Sequence, residues 1–442
     1  MKIKISPILQ LKGRIVAPPS KSYSHRAFIA AALSKGVSLI RNPLVSGDVA
    51  VTINILKSLG VKILKETDDT YIVLHEENSF SPQAEELDCK NSGTTIRFMS
   101  AFSLIVKDGL TFKGEFLKRK RPILPFLEAL KNLGAVYKLN GNKLSIMRKL
   151  THCDKTNIVG NISSQFISAL LMICPVLHCD NTCFINIKIT EPIVSYPYIQ
   201  MTKDVLTSFG IEISEKLNQD NTIHYIIRCA QNYRPQIYDI PGDFSSIAFL
   251  IAAAVLTKED SELIIQNLDF KKPQGDKMLI KILKDMGAKI EINKNLGELK
   301  VYGNINKYPL KGININCKEI PDLFPILSII GVFAKGKTKL YNAAHLRYKE
   351  SDRIAILSRE LKKLGVKVKE QKDELTIYHC KNLKGSKIYH HGDHRVAMSL
   401  IIACLFADSE SQLSNAEIIN DSYPNFFSHL KQVGAPIELN DC

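Results

Sequence analysis

The sequence predicts an α/β protein (α+β type) of two similar domains, each made of three repeated modules. Three observations predict it. A six-residue phrase recurs six times along the 442 residues. Its glycines, Gly60, Gly134, Gly210, Gly287, Gly365 and Gly434, are separated by 74, 76, 77, 78 and 69 residues. Three copies fall before about residue 235 and three after it.

The phrase reads as a helix end. In Leu56-Lys57-Ser58-Leu59-Gly60-Val61 two apolar residues three apart face a core, and Leu283-Lys284-Asp285-Met286-Gly287-Ala288 repeats the pattern. The Gly is expected in the left-handed conformation that closes the last turn. A strand-like stretch follows each copy, as in Val61-Lys62-Ile63-Leu64 and Ala288-Lys289-Ile290-Glu291-Ile292. Each unit is thus an αβ module of roughly 75 residues, longer than the solenoid repeats.

The domains are expected at 18–235 and at 1–17 plus 236–442. Pro18-Pro19 breaks the extended segment Gly13 to Ala17 before the first helix, and Tyr233 to Tyr238 joins the halves. The pairing of the first 17 residues with the C-terminal half is left open by the sequence.

At 442 residues the chain is too long for one core, and 45% hydrophobic residues suffice to fill two. Met1-Lys2-Ile3-Lys4 is basic, but Pro7, Gln10, Lys12 and Arg14 interrupt any apolar segment, so no signal peptide is expected. No apolar run approaches 18 residues, which argues against a membrane span and for a cytoplasmic address. The ten cysteines then read as reduced, mostly buried small hydrophobes. Cys174, His178, Cys179 and Cys183 form one tight group, but without the paired short spacings of a zinc site no metal is expected there. A net charge of +15 fits nucleic acid, a membrane surface or small anions, and the scattered basic residues also fit a solvated lysine-rich surface.

The candidate chemistry concentrates at helix starts. Ser20-Lys21-Ser22-Tyr23-Ser24-His25-Arg26 puts a lysine, hydroxyls and an arginine before an apolar helix, a composition suited to anions. Asn91-Ser92-Gly93-Thr94-Thr95-Ile96-Arg97 repeats the logic, with Gly93 permitting close backbone approach. Ser163-Ser164-Gln165 opens another helix, and Arg119-Lys120-Arg121-Pro122 precedes a further one. Gly242 to Ser246 reads as capping alone. Lys349-Glu350-Ser351-Asp352-Arg353 is the densest charged cluster; on a helix Lys349 and Arg353 would share a face. Asp322, just before the apolar stretch Phe324 to Phe333, is either an N-cap or a catalytic carboxylate. In His391-Gly392-Asp393-His394-Arg395, both histidines read as structural because no third metal ligand is near.

In this order and spacing the motifs match a family. The chain resembles the 5-enolpyruvylshikimate-3-phosphate synthases, the 3-phosphoshikimate 1-carboxyvinyltransferases. The resemblance is carried by Ser20 to Ala27, Asn91 to Thr94, Arg121-Pro122, Leu346 to Arg353 and Asp393 to Met398, and it extends to Tyr423-Pro424. It implies two domains of three βαβαββ units each, with an active site in the cleft between them. It implies transfer of the enolpyruvyl group of phosphoenolpyruvate to the 5-hydroxyl of shikimate 3-phosphate with loss of phosphate, by addition and then elimination, without metal or cofactor. By the same resemblance Lys21, Ser22, Arg26, Ser163, Ser164, Ser195, Tyr198, Asp322, His345 and Lys349 contact shikimate 3-phosphate. Lys21, Gly93, Arg121, Gln165, Arg353 and Arg395 contact phosphoenolpyruvate. The catalytic set is Asp322, the base on the 5-hydroxyl, Glu350, the acid at the methylene carbon, and Lys21. Holding Glu350 protonated requires burial or a neighbouring anion.

The chain departs from the family at Asp421, three residues before Pro424, where a lysine is common. A cation shifted to Lys118 or Lys120 is the expected compensation. Enolpyruvyl transfer to a UDP-amino sugar is an alternative, disfavoured because Lys113 to Pro122 lacks the loop cysteine of that family. A catalytically impaired scaffold has Asp421 as its support. Nucleic-acid binding is disfavoured by the absence of Trp and by 7% aromatics. No membrane or nucleic-acid partner is expected, and the expected state is a monomer.

Overall fold

The computed structural model describes residues 1–76, 79–118, 122–149, 152–180, 182–190, 192–218 and 222–440. The chain divides into two compact units, Lys21–Ile240 and Met1–Ser20 with Pro241–Cys442. Each has its own apolar core.

The module 87–148 shows how the repeat is built. Strand Leu87–Asp88 is followed by helix Gly93–Phe102, strand Leu110–Lys113, helix Leu124–Lys131 and the strands Ala135–Asn140 and Lys143–Arg148. The first two strands pair in parallel, which requires the intervening crossover helix. The last two form a hairpin whose register, Asn140 opposite Lys143, leaves a two-residue turn with Gly141 at φ 57°. The resulting order is one parallel pair and two antiparallel pairs, and it recurs in Lys155–Ile158 with Phe184–Ile189, Ile223–Arg228 and Ser214–Leu217. The third sheet of this unit takes its first strand, Ile237–Asp239, from the far end of the unit, in parallel with Gly36–Arg41. The segment expected to join the halves therefore lies inside this unit, and the crossing falls between Ile240 and Pro241.

In the other unit the N-terminal strands enter two different sheets. Lys2–Ile5 lies between Ser411–Ser414 and Ile437–Asn440, antiparallel to both. Lys12–Val16 runs parallel to Ser261–Gln266. The third sheet is Asn314–Asn316, Lys337–Tyr341, Leu375–Tyr378 and Val368–Glu370. Three helices form the core of this unit, Phe244–Val255, Phe324–Phe333 and His394–Cys404. They are apolar on nearly all faces, which is stable only when every face is covered, and they pack on one another. Their shared packing brings their N-terminal ends, and the polar residues there, into one place.

The six repeat glycines all have positive φ, from 79° at Gly210 to 113° at Gly287. The bonds Val61 N to Leu56 O and Gly60 N to Lys57 O are those of a Schellman closure. At Gly60 an added Cβ would meet nothing within 4 Å, whereas at Gly287 it would lie 2.9 Å from Pro309 O. Gly60→Ala should therefore cost only the left-handed backbone term, about 1 kcal/mol. Gly287→Ala should cost clearly more, and chemical denaturation of the two variants compares them directly; equal losses would contradict the steric account.

One expectation fails. Cys153 and Cys179 form a disulfide, although the cysteines read as reduced. Cys153 precedes strand Lys155–Ile158, and Cys179 follows the 3-10 turn Cys174–Val176. Nothing in the spacing of 26 residues marks the pair. The other described cysteines are free thiols, most of them buried as expected.

Candidate active-site residues

In the unit Lys21–Ile240 the described candidate residues sit at the starts of four helices, Lys21–Leu33, Gly93–Phe102, Ser164–Ile173 and Tyr196–Ser208. Uncapped amides and the helix dipole favour anions at such ends. Side chains tie the ends together. Lys21 Nζ pairs with Asp48 Oδ2 at 3.1 Å, Thr95 Oγ1 donates to Asp48 O at 3.2 Å, and Gln165 Nε2 donates to Thr94 Oγ1 at 2.9 Å. Ser92 caps its helix through Thr95 N, and Ser163 caps the next through Gln165 N. Gly93 is the first, buried residue of its helix.

Arg26 is 2% exposed. Its Nε donates to Thr202 Oγ1 at 2.7 Å, one Nη to Ser22 O, and the other to Tyr198 O and Ser168 Oγ. Burial lowers its pKa to about 10. This arginine holds the backbone of Ser22 and Tyr198 in place. Ser195, just before helix Tyr196–Ser208, adopts φ 58° and ψ 38°. Its buried Oγ has no hydrogen-bond partner among the described residues. Arg121 and Lys120 lie outside the described residues.

The sequence also pointed to Arg97 without assigning it a contact. Its guanidinium lies 5.0 Å from the Phe116 ring centre and 5.2 Å from that of Phe166, and it donates to Gln165 Oε1. It positions Gln165. Asp48, the partner of Lys21, was missed, because 27 residues separate the two in sequence.

In the other unit the site is a carboxylate–guanidinium network at the N-terminal ends of the core helices Phe324–Phe333 and His394–Cys404 and of helix Arg353–Lys363. Arg353 is 1% exposed and faces three carboxylates. Nε donates to Asp393 Oδ2 at 2.9 Å, one Nη to Asp322 Oδ1 at 2.9 Å, and the other to Glu350 Oε2 at 3.0 Å. The first of these Nη groups also reaches Pro321 O at 3.2 Å. These anions hold the guanidinium pKa above its ordinary value despite burial. Arg395 donates to Asp322 Oδ2 at 3.1 Å. Asp322 is thus not a cap: Leu323 occupies that position in helix Phe324–Phe333. Asp393 does cap its helix, accepting from Arg395 N and Val396 N. Asp243 likewise caps, as the sequence suggested.

Lys349 and Arg353 do not share a helix face. Lys349 ends the 3-10 turn Ala344–Tyr348, and Arg353 begins helix Arg353–Lys363, capped by Asp352. His345 is buried, and burial lowers its pKa to about 3, so it is neutral near pH 7. Its Nε2 has no hydrogen-bond partner among the described residues. Of the two histidines in the segment His391 to Arg395, His391 contacts Glu360 at 3.2 Å and His394 is buried. No group of three or more metal-ligating side chains is found among the described residues.

Asp276 was not foreseen. It accepts a short hydrogen bond from Ser245 Oγ. Burial first, then the charge of Asp322, raises its carboxyl to about 7, opposed by Arg395. The folded state therefore holds this proton more tightly than the unfolded chain. Its contribution to stability is full below about pH 4 and is lost as pH rises through about 7. Unfolding free energies of wild type and Asp276→Asn at pH 5 and pH 8 measure it. The wild type should lose stability relative to the variant by up to about 1.4 kcal/mol per pH unit; parallel profiles would contradict the assignment.

Known proteins share this architecture. An EPSP synthase from Acinetobacter baumannii superposes with a TM-score of 0.79 at 24% identity over 100% of both chains. The enolpyruvyl transferase NikO from Streptomyces tendae gives 0.76 at 15% identity, over 99% of this chain and 98% of its own. The fold is thus that of the enolpyruvyl transferases. A 3-phosphoshikimate 1-carboxyvinyltransferase from Methanococcus vannielii is 39% identical over 436 residues, 97% of this chain and 98% of the relative. One from Methanocaldococcus jannaschii is 39% identical over 97% of both. With residues 5–430 also matching the family described as EPSP synthase (3-phosphoshikimate 1-carboxyvinyltransferase), the chain belongs to that family.

Proposed function

We propose that the chain transfers the 1-carboxyvinyl group of phosphoenolpyruvate to the 5-hydroxyl of shikimate 3-phosphate, releasing phosphate, as a step of aromatic amino-acid biosynthesis. The observation that carries the residue roles is the single guanidinium of Arg353 shared by Asp322 and Glu350. It fixes two carboxylates of different surroundings beside one another, as acid–base chemistry requires.

In this reading Lys21, Ser22, Ser163, Ser164, Ser195 and Tyr198 hold shikimate 3-phosphate, with the orphan Ser195 hydroxyl on its phosphate. Arg26 acts mainly by holding Ser22 and Tyr198. His345 offers its unpartnered nitrogen to the same substrate, beside Lys349. Lys21, Gly93, Gln165, Arg121, Arg353 and Arg395 hold phosphoenolpyruvate. Asp322 receives the proton of the 5-hydroxyl as its oxygen bonds to C2 of phosphoenolpyruvate. Glu350 delivers a proton to the methylene carbon. The resulting tetrahedral adduct loses phosphate from C2 and a proton from the new methyl group, restoring the double bond.

Glu350 needs a proton before it can act. Asp322, Glu350 and Asp393 share Arg353, with Arg395 adding a second cation. An incoming phosphate ester competes for those guanidiniums and adds negative charge, so proton uptake becomes favourable. Glu350, at 24% exposure against 17% for Asp322 and 0% for Asp393, is best placed to take it from solvent.

Asp421 ends the 3-10 turn Ala416–Asp421, and Ser422 O accepts from Ser246 Oγ near the Asp243 cap. Lys118 is engaged with Glu115 at 2.6 Å. If a cation elsewhere compensates, Asp421→Lys should change KM for phosphoenolpyruvate by less than about threefold, well under the tenfold that 1.4 kcal/mol represents. A much larger fall in KM would overturn compensation.

Among the described residues no helix is long and apolar enough to cross a membrane. The proposed enzyme is a cytoplasmic monomer acting on small anions. The test of the assignment is phosphate release with each substrate omitted in turn, and with a UDP-amino sugar replacing shikimate 3-phosphate. Release should require phosphoenolpyruvate together with shikimate 3-phosphate; release with the nucleotide sugar instead would reassign the acceptor.

A further inference from the structure

The third module of the unit Lys21–Ile240 gathers cysteines that the transfer reaction does not use. Cys229 Sγ lies 3.6 Å from Cys179 Sγ, which is already bonded to Cys153. That is van der Waals contact between a thiol and a disulfide sulfur. On the far side of the disulfide, Arg148 places an Nη 2.9 Å from Cys153 Sγ. The same Nη is anchored to His178 O at 2.6 Å. Nucleophile, central sulfur, leaving sulfur and a cation beside the leaving sulfur are therefore all present.

A path from this cluster to solvent also exists. Strand Phe184–Ile189 runs antiparallel to Ile223–Arg228, with Phe184 opposite Arg228. Extending the register by one residue puts Cys183 opposite Cys229, and Cys229 N donates to Cys183 O at 2.9 Å. Directly opposed residues of such a pair have Cα atoms about 5.5 Å apart, within the range a disulfide spans. Cys229 is buried, whereas Cys183 is exposed. Burial raises the Cys229 thiol pKa, while Arg148 acts in the opposite direction. Cys174 is fully buried with its thiol held protonated by desolvation, and takes no part.

We propose that Cys229 and Cys183 form a thiol–disulfide exchange relay with the Cys153–Cys179 disulfide, making Cys183 the surface site at which external thiols and disulfides react with this protein. In the first step the Cys229 thiolate attacks Cys179 Sγ. The Cys179–Cys229 bond forms, the Cys153–Cys179 bond breaks, and Cys153 leaves as a thiolate that Arg148 stabilises until it takes the proton Cys229 gave up. In the second step the Cys183 thiolate attacks Cys229 Sγ. Cys183–Cys229 forms and Cys179 is released as a thiol. The net result moves the disulfide to the exposed strand end and two electrons inward, with no outside oxidant. Glutathione can then reduce Cys183–Cys229, and glutathione disulfide can load the relay in reverse.

The test incubates the native protein without reductant at pH 8, quenches with acid, alkylates free thiols and maps linked peptides by non-reducing mass spectrometry. Wild type should yield Cys153–Cys179, Cys179–Cys229 and Cys183–Cys229 linkages. Cys183→Ser should stop at the second, and Cys229→Ser should show only the first. Arg148→Leu should slow the appearance of Cys179–Cys229 roughly tenfold without changing the set of products. Glutathione should reduce the wild-type disulfide about tenfold faster than that of Cys183→Ser. A wild type that keeps only Cys153–Cys179, or lacks that linkage when isolated with its thiols blocked, overturns the relay. So does a Cys229→Ser protein in which Cys183 becomes linked to Cys153 or Cys179, or equal glutathione rates with and without Cys183.

Discussion

Glu350→Gln should reduce kcat by roughly 10²–10⁴ while leaving the affinity for both substrates within a few fold. The glutamine keeps the shape and a carbonyl oxygen for the Arg353 hydrogen bond, seen at 3.0 Å in the wild type. It removes the transferable proton, together with the negative charge that Glu350 turns toward Arg353 when ionised. Calorimetric titration of shikimate 3-phosphate together with steady-state phosphate release separates the two effects. Loss of binding with kcat retained would make Glu350 a structural partner of Arg353 and nothing more.

Arg353→Ala should be the most damaging single change in the unit that holds it. It leaves Asp322, Glu350 and Asp393 without the cation they share, and Asp393 is completely buried. Breaking a buried pair from one side costs about 3–5 kcal/mol. Thermal unfolding should therefore fall by about 10 °C. Arg353→Lys should recover only part of this, because one ammonium cannot reach three carboxylates at the three separate edges of a guanidinium. The double variant Arg353→Leu with Asp393→Asn should be more stable than Arg353→Leu alone, since it removes the most deeply buried uncompensated charge. Equal stabilities would show that Asp393 does not depend on Arg353.

The repeat was legible because a helix end needs a particular residue. All six glycines at near-constant spacing take positive φ. The chemistry at helix starts was legible for a related reason, since Ser, Asp and Asn mark N-termini that also favour anions. The partners were not. Asp48 meets Lys21 across 27 residues and Asp393 meets Arg353 across 40, contacts set by core packing and not by any local pattern. Treating Asp322 as a possible cap and Lys349 and Arg353 as one helix face were both readings of local period. Tertiary structure replaced them with an ion-pair network and a broken turn. Strand Ile237–Asp239 looked like a linker because its pairing partner lies some 200 residues earlier. The Cys153–Cys179 pair had no spacing signature at all.

The measurement that tests the reaction most directly is turnover in D2O with product analysis by mass spectrometry and proton NMR. Protonation of the methylene carbon makes a methyl group, and elimination then removes one of its three hydrogens. The account predicts deuterium in the vinyl methylene of the product, with phosphate released in equal amount and only when shikimate 3-phosphate is present. Phosphate release with an undeuterated vinyl group would contradict the addition–elimination route and the role given to Glu350.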